Sequence, residues 1–363
     1  MLLAGSIGVL SCSSQAAQRT QLEPSFASRI AQLSEPAGYF DTDNLISNEA
    51  SYLHVMGKMR ELGVTGGAYI GVGPDQNFSY IAQIRPSIAF IIDIRRDNML
   101  EQLLFKALFA LARNRAEYLS LLFGRPPPGT LDEWTNRGIA ELLAYIDSTP
   151  TRPETIASAR RAVDRTVAAF DVPLSVEDWA TIDRYHQTFI REGLSLKFRS
   201  FRRPPRFYYP TFRELLMERD LTGRHTNYLA SEGAFRVVKS LQDRDLVIPV
   251  VGDLAGTHAL KAIGQLIAAR RERVSALYTS NVEFYLFRSG GFGQFLRNVE
   301  HLPRDERSVI IRSVFRATFG PHPLSVPGYY STQLLQTLET LVEEAADGGY
   351  RSYWELVTKH ALR

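Results

Sequence analysis

Glycines and a carboxylate stand where two apolar runs of this sequence end. The run 68–70 closes on Gly71-Val72-Gly73, and the run 88–92 closes on Asp93. Glycines allow a backbone to bend sharply toward a ligand, and a carboxylate about 20 residues further on is placed to accept ribose hydroxyls. The spacing therefore predicts a nucleotide-type βαβ unit that binds its ligand at this edge of a sheet.

The polar segment after the glycines indicates which kind of ligand this is. Asp75 stands where a helix is predicted to begin, and a carboxylate there accepts first-turn N–H groups and repels phosphate. Gln76 occupies the position of the third glycine of a dinucleotide fingerprint. The loop, with Asn77 as a further candidate ligand contact, therefore disfavours NAD and FAD and favours a ligand without phosphate.

Composition and motif content exclude several other functions. The 363 residues are 45% hydrophobic and 22% charged, with a formal net charge of +3, as in ordinary globular proteins. This charge does not point to nucleic acid, and the sequence has no apolar run of about 18 residues that predicts a membrane span. The seven histidines are dispersed, so no metal centre is predicted, and the sequence lacks Gly-x-Ser-x-Gly, His-Glu-x-x-His and Gly-Lys-Ser/Thr motifs.

The amino terminus carries a short apolar run, 2–11, directly before Cys12, the sole cysteine. This run has the length of a signal-peptide core, and Val9-Leu10-Ser11-Cys12 resembles a bacterial lipobox. The resemblance implies that Cys12 is lipidated, that 1–25 is a signal and tether, and that the protein is an extracytoplasmic lipoprotein anchored to a membrane. The alternatives are a disordered apolar tail with a free cysteine and a cytoplasmic location.

The rest of the chain, 26–363, alternates apolar strands with helices and predicts one α/β domain. Further strands are expected at 245–253, ending at Asp253, and at 274–283 and 308–315. Helices are expected at 26–33, 44–62, 99–111, 257–270 and 292–299, in an insertion at about 125–240 that is placed to cover the substrate end of the sheet, and at 333–346 and 353–360.

Of three polar segments, two have two interpretations each and one has a single interpretation. Asn48 and Glu49 either lean over the ligand end of the first strand or cap a helix, and Arg95 and Arg96 are expected in a solvated turn. The segment 197–210 interleaves arginines with aromatics. It could bind an anionic polymer, a lipid headgroup or single-stranded nucleic acid, or it is a loop whose aromatics pack and whose arginines face water.

These strand ends resemble the class I S-adenosylmethionine-dependent methyltransferase superfamily, which has a glycine-rich bend after its first strand and an acidic residue after its second. The resemblance implies a Rossmann-like, methyltransferase-type α/β sheet with a helical insertion and a helical carboxyl terminus. It implies that S-adenosylmethionine is bound by Gly71, Gly73, Asp75, Asn77, Asp93 and Asp253, and that Asn281 and Glu283 orient the methyl acceptor. The alternative is a non-catalytic exported lipoprotein that uses this fold as a binding or structural module.

Overall fold

A six-stranded sheet forms the centre of the structure, a computed structural model that describes residues 24–363. Its strands are β1 (Ala68–Gly71), β2 (Ile88–Asp93), β3 (Val247–Val251), β4 (Val274–Ser280), β5 (Val309–Phe315) and β6 (Ser331–Thr337). Their order is β3-β2-β1-β4-β5-β6, with β6 antiparallel to β5 and every other pair parallel. The predicted α/β class is therefore confirmed. Cys12 and nearly all of the predicted leader and tether lie outside the described residues.

Sixteen helices surround this sheet in the described residues. They are α1 (Phe26–Leu33), α2 (Met56–Glu61), α3 (Gln76–Ile84), α4 (Arg96–Leu111), α5 (Arg115–Leu122), α6 (Ile139–Ser148), α7 (Pro153–Ala168), α8 (Val176–Glu192), α9 (Phe212–Met217), α10 (Glu232–Asp243), α11 (Ala259–Ala269), α12 (Val282–Ser289), α13 (Phe292–Glu300), α14 (Arg316–Phe319), α15 (Leu338–Ala346) and α16 (Tyr353–Thr358). In residues 24–363, no helix is both long and apolar enough to cross a membrane.

The strands are apolar along their length because the parallel sheet is covered on both faces. All residues of β1 and β3 are buried, as are five of the six residues of β2. Pro249 lies within β3, which forms an edge of the sheet and pairs only with β2 among the described strands. A proline is tolerated there because an edge strand can leave one row of N–H groups unpaired.

The helices of the insertion pack mainly on α4, and the insertion reaches the ligand end of the sheet through Phe198, which lines a cavity there. Helices α7 and α8 pack on α4, and α10 packs on both α3 and α4. Helix α4 also packs against β2 and β3, so it is covered from two sides. This explains why 12 of its 16 residues are buried, including Glu101 and Lys106.

Two predicted helices are wrong in part. Only Met56–Glu61 of 44–62 is helical, and the preceding residues form buried turns. Residues 333–337 belong to β6, not to a terminal helix. The polar residues Gln333 and Gln336 make this strand resemble a surface segment in the sequence, but both are buried. Gln333 donates a hydrogen bond to the Tyr80 hydroxyl at 3.0 Å, and Gln336 donates one to the Tyr350 hydroxyl at 2.7 Å.

A buried ion pair joins β5 to α12. Arg312 donates through Nε to Glu283 Oε1 at 2.8 Å and through a terminal nitrogen to Gln336 Oε1 at 2.7 Å. Both charged side chains are almost completely buried, at 3% and 0% exposure. Glu283 also accepts a hydrogen bond from the Thr279 hydroxyl at 2.9 Å. This pair therefore fixes α12 directly after the end of β4.

We expect Arg312→Ala to lower the free energy of unfolding by about 3–5 kcal/mol, because it leaves Glu283 buried without a countercharge. Urea unfolding followed by circular dichroism measures this. The double variant Arg312→Met with Glu283→Leu is the control and should recover most of the loss. Equal destabilisation in both variants would contradict a charge-based explanation.

Candidate functional site

A cavity of about 590 Å³ lies at the carboxyl ends of the central strands. Its lining comes from four strand ends, from the segment 39–49, from Phe198 and from one side of α12 along its length. Strands β1 and β4 are neighbours in the sheet although β2 and β3 separate them in sequence. The strand order therefore reverses here, and ligands of open α/β sheets bind in the crevice that such a reversal creates.

The two glycines of the predicted loop have different roles. Gly73 lines the cavity and has a φ of +85°, a left-handed conformation that suits glycine. Gly71 lies beneath the cavity, where an added Cβ would stand 2.0 Å from Asn77 Oδ1 and 2.6 Å from the Tyr69 hydroxyl. Gly71 therefore allows side chains to pack under the loop rather than bringing a ligand close.

Asn77 holds the loop in shape from below. Its amide nitrogen donates to the carbonyls of Val72 at 2.9 Å and Pro74 at 2.7 Å, and its Oδ1 accepts a hydrogen bond from the Tyr69 hydroxyl at 2.7 Å. The side chain is completely buried. Asn77 thus supports the bend rather than facing the cavity.

Asp75 does not cap the helix that follows, contrary to the expectation from the sequence. Its side chain makes no capping hydrogen bond to α3 and instead accepts one from the Tyr228 hydroxyl at 3.2 Å in the core. Burial raises the pKa of Asp75 to about 7, and the bond from Tyr228 offsets part of this rise. Asp75 is therefore a core carboxyl below the loop, and it is partly protonated at neutral pH.

Asp93 lines the cavity and forms a two-pronged ion pair with Arg95. Arg95 Nε lies 3.1 Å from Asp93 Oδ1, and a terminal nitrogen lies 2.9 Å from Oδ2. The same guanidinium donates to the carbonyls of Thr42 at 3.0 Å and Asp43 at 2.9 Å. Arg95 is 6% exposed, so the expected solvated turn is wrong for this residue. The sequence shows that this residue is a charged arginine, but it does not show that the side chain points into the protein.

Asp253 and Asn281 both line the cavity, at the ends of β3 and β4. Asp253 Oδ1 accepts the backbone N–H of Ala255 at 2.8 Å, and its side chain is half-buried. Asp253 and Asn281 thus join Gly73 and Asp93 around one space. Glu283 lies elsewhere, fully buried against Arg312, so the structure does not bring it to this cavity.

Glu49 supplies the carboxylate at the β4 end of the cavity. It is 1% exposed, and it accepts hydrogen bonds from the Tyr278 hydroxyl at 2.7 Å and from the Ser280 hydroxyl. Burial raises the pKa of Glu49, and the hydroxyls that donate to it offset part of this rise. Of the two interpretations from the sequence, the structure agrees with the one in which Glu49 leans over the strand ends. Glu49 lies in a turn rather than in a helix.

Ser280 has a strained backbone at the edge of the cavity. Its φ is +55°, a left-handed value that residues other than glycine rarely adopt. Such strain persists where surrounding contacts hold it and is frequent at functional sites. The hydrogen bond from Ser280 to Glu49 is one of these contacts. No motif in the sequence identified Ser280 as a site residue. No group of three or more histidine, cysteine, aspartate or glutamate side chains in the described range is arranged to hold a metal ion.

These features define a doubly wound α/β protein with a small-molecule cavity at the point where its strand order reverses. The chain belongs to a family described as a domain of unknown function, DUF7790, which matches residues 45–127 and 154–361. The matched segments contain all six strands and every cavity residue from Ser47 onward. No curated protein matches the chain at a significant level.

We expect Gly71→Ala to lower the free energy of unfolding by about 1–3 kcal/mol, because the new methyl group displaces Asn77 from beneath the loop. Thermal and urea unfolding measure the effect. Gly233→Ala is the matched control, since Gly233 lies in α10 with open space around it and should gain stability. A neutral Gly71→Ala variant would contradict the close packing.

We expect Asp75 to make stability fall as pH rises. The folded state holds the proton up to a pKa of about 7, whereas the unfolded chain releases it near pH 4. The stabilisation is complete below about pH 4 and is lost between about pH 4 and 7. Asp75→Asn should match the wild type at pH 4 and exceed its unfolding free energy by up to about 4 kcal/mol at pH 8.

Urea unfolding across this pH range tests the prediction for Asp75. The exposed residue Asp347 provides the control, since Asp347→Asn should leave the slope between pH 4 and 8 unchanged. An unchanged slope in Asp75→Asn would show that Asp75 titrates normally in the folded protein.

Proposed function

We propose that the cavity binds S-adenosylmethionine and that the protein transfers its methyl group to an acceptor. The observation that carries this proposal is the convergence of Gly73, Asp93, Asp253 and Asn281 on one cavity at the switch point. These are four of the residues that the methyltransferase resemblance singles out, and they come from four separate strand ends.

The spacing of the polar groups suits a nucleoside joined to an amino acid. Asp253 follows β3 and Ser280 ends β4, and three strand spacings separate these strands in the order β3-β2-β1-β4. Neighbouring strands lie about 4.8 Å apart, so the two ends are about 14 Å apart. The cavity volume of about 590 Å³ also falls within the range of small-molecule sites.

Asp93 keeps hydrogen-bonding capacity for a ribose hydroxyl despite its ion pair. Oδ1 accepts both the Arg95 backbone N–H at 2.9 Å and the Nε–H, whereas Oδ2 accepts one hydrogen bond from Arg95 within the described residues. A carboxylate oxygen offers two acceptor sites. The remaining site on Oδ2 therefore suits a hydroxyl donor, and the ion pair holds it in a fixed direction.

Arg288 lines the cavity at α12, whereas the β2 and β3 ends of the cavity are poorly suited to a phosphate. Arg95 is neutralised by Asp93, and the first amides of α11 are bound by Glu35, which accepts the N–H groups of His258 and Ala259 at 3.2 Å. A helix start filled by a carboxylate does not bind phosphate. With Glu49 and Asp253 on either side, the cavity suits the positive sulfonium group.

The reaction takes place at the β4 end in this proposal. A lone pair on the acceptor attacks the methyl carbon, the carbon–sulfur bond breaks, and its electron pair passes to sulfur to form a thioether. Asn281 orients the acceptor, and Glu49 takes the proton that the acceptor releases, so Glu49 rather than Glu283 is the glutamate at the reaction site. Proximity of the two reactants supplies most of the rate enhancement.

Titration calorimetry with S-adenosylmethionine tests the proposal. We expect Asp253→Asn to weaken binding roughly tenfold, because its amide replaces a charged acceptor while keeping the bond from the Ala255 N–H. Asp147→Asn is the control with unchanged affinity, since Asp147 is an exposed partner of Arg213. Absence of heat with the folded wild type, or equal affinities in all three proteins, would overturn the assignment.

A further inference from the structure

Exposed aromatic side chains lie beside the mouth of the cavity. Six large hydrophobic residues are exposed in the described part of the chain, and four of them are aromatic: Tyr39, Phe207, Tyr285 and Tyr330. Tyr39 and Tyr285 line the cavity. Soluble proteins bury most aromatic surface, so a cluster of exposed rings indicates an interaction site.

Two of these rings, Phe207 and Tyr330, are in contact with each other and with Tyr208. Tyr208 stacks on Tyr330 with ring centroids 4.7 Å apart, and Phe207 meets Tyr330 edge-on at 5.9 Å. Phe207 remains 82% exposed. We call Phe207, Tyr208 and Tyr330, with the neighbouring Arg202 and Arg206, the rim patch. Stacking thus covers one face of Tyr208 and one face of Tyr330, and it leaves the apolar ring of Phe207 projecting into solvent.

Unpaired positive charge surrounds this ring. Arg203 pairs with Asp41, but Arg202 and Arg206 are exposed and no carboxylate in residues 24–363 forms a salt bridge with either. Arg206 lies over the Tyr208 ring at 5.8 Å. Tyr209 packs against Tyr208 of the patch with ring centroids 5.1 Å apart and against the cavity residue Phe198 at 5.2 Å, so the patch adjoins the cavity.

We propose that the rim patch binds the surface of an anionic lipid bilayer. Phe207 enters the boundary between headgroups and acyl chains, Tyr208 and Tyr330 lie at the headgroup level, and Arg202 and Arg206 contact lipid phosphates. Single-stranded nucleic acid requires successive open ring faces on which bases stack. The rim patch offers one projecting ring, and its two tyrosines stack on each other rather than presenting successive open faces, so the lipid surface fits it better.

Docking in this way brings the cavity close to the headgroup layer, because Tyr209 connects the patch to Phe198 in the cavity wall. This inference does not depend on the identity of the ligand in the cavity. It concerns a surface formed by residues 202–208 and Tyr330, and it requires neither a lipid anchor nor a bound cofactor.

Vesicle sedimentation tests the proposal. The full chain carries Cys12→Ser so that no lipid can be attached, and it is mixed with vesicles of phosphatidylcholine alone or of phosphatidylcholine with phosphatidylglycerol. We expect binding to the anionic vesicles that weakens as salt is added. Phe207→Ser should lower the partition coefficient about tenfold, and Arg202→Gln about fivefold.

Val176→Ser is the matched control, because Val176 is 80% exposed at the start of α8 and should not affect binding. Equal binding to neutral vesicles, or an equal effect of Val176→Ser and Phe207→Ser, would overturn the proposal. Binding of a single-stranded oligonucleotide that depends on Phe207, without vesicle binding, would overturn it in favour of nucleic acid.

Discussion

The ion pair between Asp93 and Arg95 is the interaction on which the site depends. Arg95 reaches from the end of β2 to the carboxylate of Asp93 and to the carbonyls of Thr42 and Asp43. One buried cation therefore fixes the segment over the cavity and the direction of the carboxylate within it. Removing either partner would leave a buried charge without compensation, a change that is strongly destabilising. The cavity exists in this shape because both its wall and its polar group are tied to the same guanidinium.

Carboxyl groups with raised pKa values surround the glycine loop. Burial raises the pKa of Glu49 and Asp75, and it raises the pKa of Glu101 well above the usual range. Both oxygens of Glu101 lack a hydrogen-bond partner within the described residues. A buried carboxyl group is less costly when it is protonated, so Glu101, whose oxygens find no donor among residues 24–363, is favoured in its protonated form.

The strand ends were predictable because apolar runs and chain order determine them. Residues that follow successive parallel strands must meet at one edge of the sheet, and Gly73, Asp93, Asp253 and Asn281 do so. The directions of individual side chains were not predictable in the same way. Asp75, Asn77 and Glu283 lie within a few residues of that edge, but they face the core, because neighbouring positions in a turn or helix point in different directions. β6 was missed because its buried glutamines find partners that only the folded chain supplies.

The sequence by itself determined the α/β class, the positions of β1 to β5 and the polar residues at their ends, because local apolar patterns specify strands and helices. The tertiary structure alone decided that Arg95 is buried, that Glu49 joins Tyr278 and Ser280, and that the helical insertion covers α4. Each of these depends on contacts between residues far apart in the chain. Glu49 and Ser280 are 231 positions apart, and no local pattern relates residues at such a distance. Their meeting follows from the strand order, which brings β4 beside β1 and beneath the segment 39–49.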